Sequence, residues 1–244
     1  MIKGLIFDLN GTLIDILTNE GDPQLYRVTA NFLDYYGVKL APCQLRDLFF
    51  ELNREQRRES REKYPEFDVS QIFINIIERF KRRPIPDVEQ LAEYASIVFR
   101  AASRFKLELY DGVFEVLTDL RKEYKLAAVS DGQSLWALPE MHSVDLEHFF
   151  SPIIVSGDFG YRKPDLRLYQ EALRQMHLQP AEVIFVGNDM YRDVYGAHQA
   201  GMKTVFFKSN QGDQTSHGVE ADYIIYNFNE LPQAVDFLQK SLTN

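Results

Sequence analysis

Short apolar runs rich in β-branched and aromatic residues recur at positions 2–7, 125–130, 153–156, 183–187 and 204–207, with a weaker one at 223–226. Each is short and mostly apolar, and several stop at a glycine or a polar cluster, which predicts buried strands. Between them the apolar spacing becomes helical, as in Val113, Val116, Leu117 and Leu120, then Leu166, Tyr169, Leu173 and Met176, then Leu231, Ala234, Val235 and Leu238. Strands alternating with helices predict an α/β fold, a doubly wound parallel sheet of Rossmann-like type covered on both faces.

Positions 16–105 break that rhythm. Leu25, Val28 and Phe32, then Ile72, Ile76 and Phe80, then Val88, Leu91, Ala95, Val98 and Ala102 keep helical spacing, with Pro84 and Pro86 between two of the helices and no convincing strand. The expected organisation is a core of residues 1–15 and 106–244 with an α-helical insert, 16–105. The insert leaves and rejoins the core near the end of the first strand, where ligands bind in open α/β sheets, so it is expected to cover the site.

Composition narrows the partners. Hydrophobic residues at 45% and charged residues at 26% are ordinary for a globular chain, which argues against disorder or a fibrous repeat. Thirty-six acids against 27 Lys plus Arg give a net charge of -9, which disfavours nucleic acid and anionic membrane surfaces as partners. No apolar run approaches the ~18 residues of a membrane span and no signal-peptide pattern opens the chain, so a cytoplasmic location is expected. Cys43, the single cysteine, allows no intramolecular disulfide and reads as a packed or surface residue. The five histidines show no metal-ligand spacing.

Candidate chemistry lies where strands end. Asp8 follows the first strand and leads through Asn10 to Gly11 and Thr12, where turn N–H groups could cradle an oxyanion. A carboxylate there suits a nucleophile or a metal ligand; alone it could equally be a turn residue closing the strand. Ser130, Asp131 and Gly132 end the second strand, Lys163 follows the third, and Asn188, Asp189 and Asp193 follow the fourth. Hydroxyl, cation and acids converging on one sheet edge point to an active site rather than to four independent turns. In the insert, Arg54, Arg57, Arg58 and Arg61 share one predicted helical face, but Glu51, Glu55 and Glu62 accompany them and favour a solvated helix over an anion site. Trp136 is expected to pack.

With these residues in this order, the chain resembles the haloacid dehalogenase superfamily, mostly Mg-dependent phosphatases. Residues 8–12 resemble its first motif, Ser130 its second, Lys163 its third and residues 187–193 its acidic fourth; the helical insert is similar to the cap of its first cap class. The resemblance implies hydrolysis of a small phosphorylated molecule through an aspartyl phosphate on Asp8. Ser130 and Lys163 would bind the transferring oxygens, and Asp8, the Asn10 backbone carbonyl and the fourth-motif acids would hold Mg2+. Asp189 is the expected direct ligand, because a charged oxygen suits Mg2+ better than the Asn188 amide, with Asp193 acting behind it or pairing with Lys163.

Two departures bear on activity. Where the family's phosphatases usually carry a general acid–base Asp, this chain has Asn10, whose amide cannot transfer that proton. Because such catalysis typically contributes ~10² to 10⁴, alkyl phosphates should turn over poorly unless another group substitutes. Asp131 stands where the family often has Asn, adding negative charge. Metal-independent carbon–halogen hydrolysis, which needs no proton donor for its leaving halide, and non-catalytic phosphate binding are the alternatives.

Overall fold

The computed structural model describes residues 1–241. In chain order, β1 (Gly4–Phe7) and β2 (Ile14–Thr18) precede four helices, α1 (Pro23–Tyr35), α2 (Pro42–Glu59), α3 (Val69–Phe80) and α4 (Val88–Ser103). Then come β3 (Arg104–Leu109), α5 (Val113–Leu120), β4 (Lys125–Ser130), α6 (Ser134–Ser143), β5 (Ile153–Val155) and α7 (Leu166–Met176). The chain closes with β6 (Val183–Gly187), α8 (Gly196–Gln199), β7 (Lys203–Phe207), β8 (Tyr223–Ile225) and α9 (Leu231–Ser241).

Six strands form one sheet in the order β5-β4-β1-β6-β7-β8, and every neighbouring pair is parallel. All four β1 residues are buried, as a strand covered on both faces requires. Side chains alternate between the faces: Leu5 and Phe7 enter the cluster built with α5 and α9, whereas Ile6 enters the one built with α7. From β1 the chain builds β4 and β5 on one side, then returns to place β6 on the other. That reversal opens a crevice at the carboxyl ends of β1, β4 and β6.

Helices α1 to α4 pack around their own apolar cluster, in which the Phe99 ring stacks on Phe49 at 4.3 Å. Trp136 of α6 joins this cluster and donates its indole N–H to Ser96, so it packs as expected. The loop between α2 and α3 is tied to the sheet edge by backbone bonds. The Glu66 N–H donates to the Gly160 carbonyl at 3.0 Å, and the Arg162 N–H to the Tyr64 carbonyl at 2.9 Å. Gln133 completes the attachment, donating from Nε2 to the Phe67 carbonyl and accepting the Val69 N–H. Among the described residues no helix is long and apolar enough to cross a membrane. Cys43 is exposed.

Three features depart from expectation. Strands β2 and β3 pair antiparallel as a two-stranded ribbon, and the expected boundaries at 15/16 and 105/106 fall inside it. Its mixed sequence, with Asp15 between Ile14 and Ile16 and Lys106 beside Leu107, becomes a strand only through pairing with a partner about 90 positions away, which local patterning does not reveal. Helix α6 also escaped notice, because it contains Pro139 and has no clear apolar stripe. The four-arginine face does not form: α2 ends at Glu59, capped by Ser60, before Arg61 is reached. Arg58 approaches Glu55 on the surface and Arg57 turns to the buried Glu66 at 3.6 Å.

Candidate active site

The crevice holds a cavity of about 200 Å³ lined by Asp8, Asn10, Asp131, Lys163, Asn188, Arg192, Asp193, Gln211 and Gly212. Residues from the ends of β1, β4 and β6 and from the loop after β5 therefore meet, as the sequence suggested.

At its floor is a buried ion cluster. The Lys163 ammonium donates to Asp8 Oδ1 at 2.6 Å, to Asp193 Oδ1 at 2.7 Å and to the Val129 carbonyl at 3.1 Å. All three of its protons are used. Burial alone would lower the Lys163 pKa, but Asp193, Asp8 and Asp131 outweigh that and hold it above the ordinary lysine value, so the ammonium stays charged. The second Asp193 oxygen accepts the N–H groups of Asn188 and Asp189, both at 3.0 Å. Gly187 permits this approach, since a Cβ there would strike the Asp193 side chain. Asp193 itself comes from a π-helical turn over residues 190–195, a local widening common at functional sites.

Asp8 keeps a second oxygen turned to Thr12, whose hydroxyl lies 3.0 Å from Asp8 Oδ2 and 3.1 Å from Asn188 Oδ1. With one proton, Thr12 serves one of these acceptors at a time. Gly11 adopts φ +87° and lets Asn188 pack against its α-carbon, a place that any side chain would fill.

Several expected donors are used inside the fold. The Gly11 N–H bonds to the Ile14 carbonyl at 2.8 Å, and the Gly132 N–H to Ser156 Oγ at 2.9 Å, so neither is free to cradle an oxyanion. Ser130 is buried, and its hydroxyl makes only a long 3.4 Å contact with the Asp131 carbonyl. Asp189, the expected metal ligand, has both oxygens hydrogen-bonded. One oxygen caps the turn by accepting the Tyr191 and Arg192 N–H groups; the other accepts two Arg192 guanidinium bonds and the Asp213 N–H. Although burial works against it, Arg192 holds the Asp189 carboxyl below its ordinary pKa. It is absent from the cavity wall, and Asn188 stands there instead.

Asp131 differs from its neighbours. Its Oδ1 accepts the Lys163 backbone N–H at 2.9 Å, while Oδ2 is buried without a hydrogen-bond partner, 3.7 Å from an Arg192 nitrogen. Burial pushes its carboxyl above the usual range, against the lowering effect of Lys163 and Arg192.

Arg192, Gln211 and Gly212 were missed as cavity residues. Arg192 stood in plain view beside Asp193 in an acid-rich motif. Gln211 and Gly212 lie in a polar loop leaving the carboxyl end of β7, and that position was the available signal. The loop is fixed by Gln211 Nε2 donating to Asp15 at 2.8 Å and by the Met190 N–H donating to the Asp213 carbonyl at 2.7 Å.

The oxygens facing the cavity suit Mg2+, which accepts one or two carboxylates and fills its remaining positions with water and substrate phosphate. Asp8 supplies a carboxylate, and the Asn188 amide and the Asn10 carbonyl, which accepts no hydrogen bond among the described residues, supply neutral oxygens. Among the described residues no three His, Cys, Asp or Glu side chains gather as a metal site, so any Mg2+ would rest on this mixed oxygen set.

A parallel sheet covered by helices, with a charged cavity at its carboxyl edge, defines a doubly wound α/β protein with a candidate active site. The chain belongs to the haloacid dehalogenase-like hydrolases, whose family model matches residues 5–207. It is 26% identical over 225 residues to a glyceraldehyde 3-phosphate phosphatase of Methanothermobacter thermautotrophicus, covering 90% of this chain and 92% of that one. It is 33% identical over 132 residues to the enzyme of the same name from Pyrococcus furiosus, covering 53% of this chain and about half of that relative, 54%. In fold it is similar to a 2-haloacid dehalogenase of Pseudomonas syringae, with a TM-score of 0.68 at 20% identity, covering 97% of this chain and 99% of that one.

Proposed function

We propose that the protein is a Mg2+-dependent phosphatase of small phosphomonoesters, working through an aspartyl phosphate on Asp8, with residues 16–105 as a helical cap. The observation that carries this is the Asp8–Lys163–Asp193 cluster at the cavity floor. Lys163 holds the Asp8 carboxylate in position and keeps a positive charge where transferring phosphoryl oxygens collect negative charge. Asp193 anchors that ammonium and, through two N–H bonds, fixes the β6 turn that presents Asn188. Asp8, the Asn10 carbonyl and Asn188 would hold Mg2+. Bound there, it would offset the phosphate charge and leave Asp8 free to attack. The phosphatase names of the relatives support this reading over carbon–halogen hydrolysis, as does the oxygen-lined cavity.

The test is release of inorganic phosphate from a panel of phosphorylated metabolites and an aryl phosphate. Activity that needs Mg2+ and disappears with chelator is expected; dehalogenation of a 2-haloacid with no phosphate release would replace the reading.

The metal set makes a separate prediction. Asn188→Ala should weaken Mg2+ binding, followed as the rise of Tm with added Mg2+. Asp189→Ala should leave that rise intact while lowering stability by about 1 kcal/mol, as loss of a side-chain cap does. The reverse pattern would return the ligand role to Asp189.

A further inference from the structure

We propose that the site has a further activity, the hydrolysis of acyl phosphates, the mixed anhydrides of carboxylic and phosphoric acids, at a rate well above that for phosphate esters of ordinary alcohols. The inference rests on the phosphatase reading above and extends it to a second class of substrate.

The protons of the cavity carry the argument. An alkoxide leaves phosphorus readily only when a proton reaches it, and each titratable group in the cavity wall is engaged in a way that withholds one. The three Lys163 ammonium protons go to Asp8, Asp193 and the Val129 carbonyl. Asp193 uses Oδ1 for that ammonium and Oδ2 for the Asn188 and Asp189 N–H groups, so both its oxygens act as acceptors. Asp131 accepts the Lys163 backbone N–H at Oδ1, and its Oδ2 is buried 3.7 Å from an Arg192 nitrogen, out of reach of a bound ester. Asp8 has to be a carboxylate to attack. Arg192 stays protonated, and the amides of Asn10, Asn188 and Gln211 donate hydrogen bonds without giving up a proton.

A carboxylate needs no such help, because it departs as a stable anion at neutral pH. Its charge has a partner in the wall. Asp189 orients Arg192 through Nε and Nη2, the arginine side chain remains 41% exposed, and a planar guanidinium suits a carboxylate. The cavity of about 200 Å³, walled by polar side chains and Gly212, fits a short acyl group beside the phosphate.

The steps balance without a proton donor. An Asp8 oxygen attacks phosphorus, the bond from phosphorus to the bridging oxygen breaks, and its electron pair leaves on the carboxylate. One carboxyl–phosphate anhydride replaces another, and no proton moves. Water then attacks the aspartyl phosphate, and the bond between phosphorus and Asp8 breaks with its electron pair returning to Asp8. Both water protons leave on the phosphate, as dihydrogen phosphate.

The experiment compares acetyl phosphate with ethyl phosphate, which differ by one carbonyl oxygen in place of two hydrogens, on the native enzyme with Mg2+; para-nitrophenyl phosphate serves as a third substrate. The quantity read is kcat/KM, which reports transfer to Asp8 and excludes the later attack of water common to all three. Acetyl phosphate should exceed ethyl phosphate by ~10² to 10⁴, the factor a proton donor would otherwise supply to the ester. Asp8→Asn should abolish acetyl phosphate cleavage along with ester cleavage. A ratio below ~10² overturns the proposal and leaves the phosphatase reading standing, because it shows that the ester receives its proton. Acetyl phosphate cleavage that survives in Asp8→Asn also overturns it, by placing that activity outside this site. If the native protein releases phosphate from none of the three, the phosphatase reading fails and the proposal with it.

Discussion

Asp8→Asn is expected to lower phosphate release by a factor on the order of 10⁶, the loss seen when a covalent nucleophile is removed, and to abolish any phosphorylated form of the protein. The substitution isolates chemistry from folding. The amide oxygen of Asn can still accept from Lys163, and its size matches the space beside Thr12. Removing one of the three carboxylates around a single ammonium also relieves their mutual repulsion, so Tm should hold or rise. Rapid acid quench of the native enzyme followed by intact-mass measurement should find the phosphorylated protein, and the variant should show none. A residual rate within about tenfold of native would remove Asp8 from the nucleophile role.

Lys163→Met should strike activity and stability together. Lys163 is 2% exposed and its ammonium donates to two buried carboxylates and a carbonyl, so its removal leaves Asp8 and Asp193 facing each other without a counter-charge. Breaking a buried ion pair by deleting one partner costs about 3–5 kcal/mol, which urea titration would register as a lower midpoint at unchanged slope. Turnover should fall by about 10³ or more, since a preorganised cation at a phosphoryl group contributes on that scale. If the folded variant kept its rate, the phosphoryl charge would have to be met elsewhere, and Arg192 is the other cation in the cavity wall.

The asymmetry between Asp189 and Asp193 shows how far residue type misleads when backbone direction is unknown. Both acids were candidate site residues, and the charged oxygen of Asp189 looked the better ligand. The π-helical turn sends Asp193 inward to Lys163 and spends Asp189 on capping and on Arg192. A cap engages side-chain oxygens that residue type alone would leave open to a ligand.

By itself the sequence determined the parallel α/β core, through short apolar runs alternating with helical stripes, because strands buried on both faces read as near-continuous apolar runs. It also placed Asp8, Lys163 and the acids of the β6 turn at the sheet's carboxyl edge, because strand ends can be read from where apolar runs stop. Only the tertiary structure decided which of those groups face the cavity. It alone showed the Gly11 and Gly132 N–H groups used up within the fold, the β2–β3 ribbon formed across about 90 residues, and Gln211 and Gly212 delivered to the site. The physical reason is the range of the forces involved: burial periodicity is written locally, whereas hydrogen-bond partners and side-chain direction are settled by contacts between segments distant in the chain.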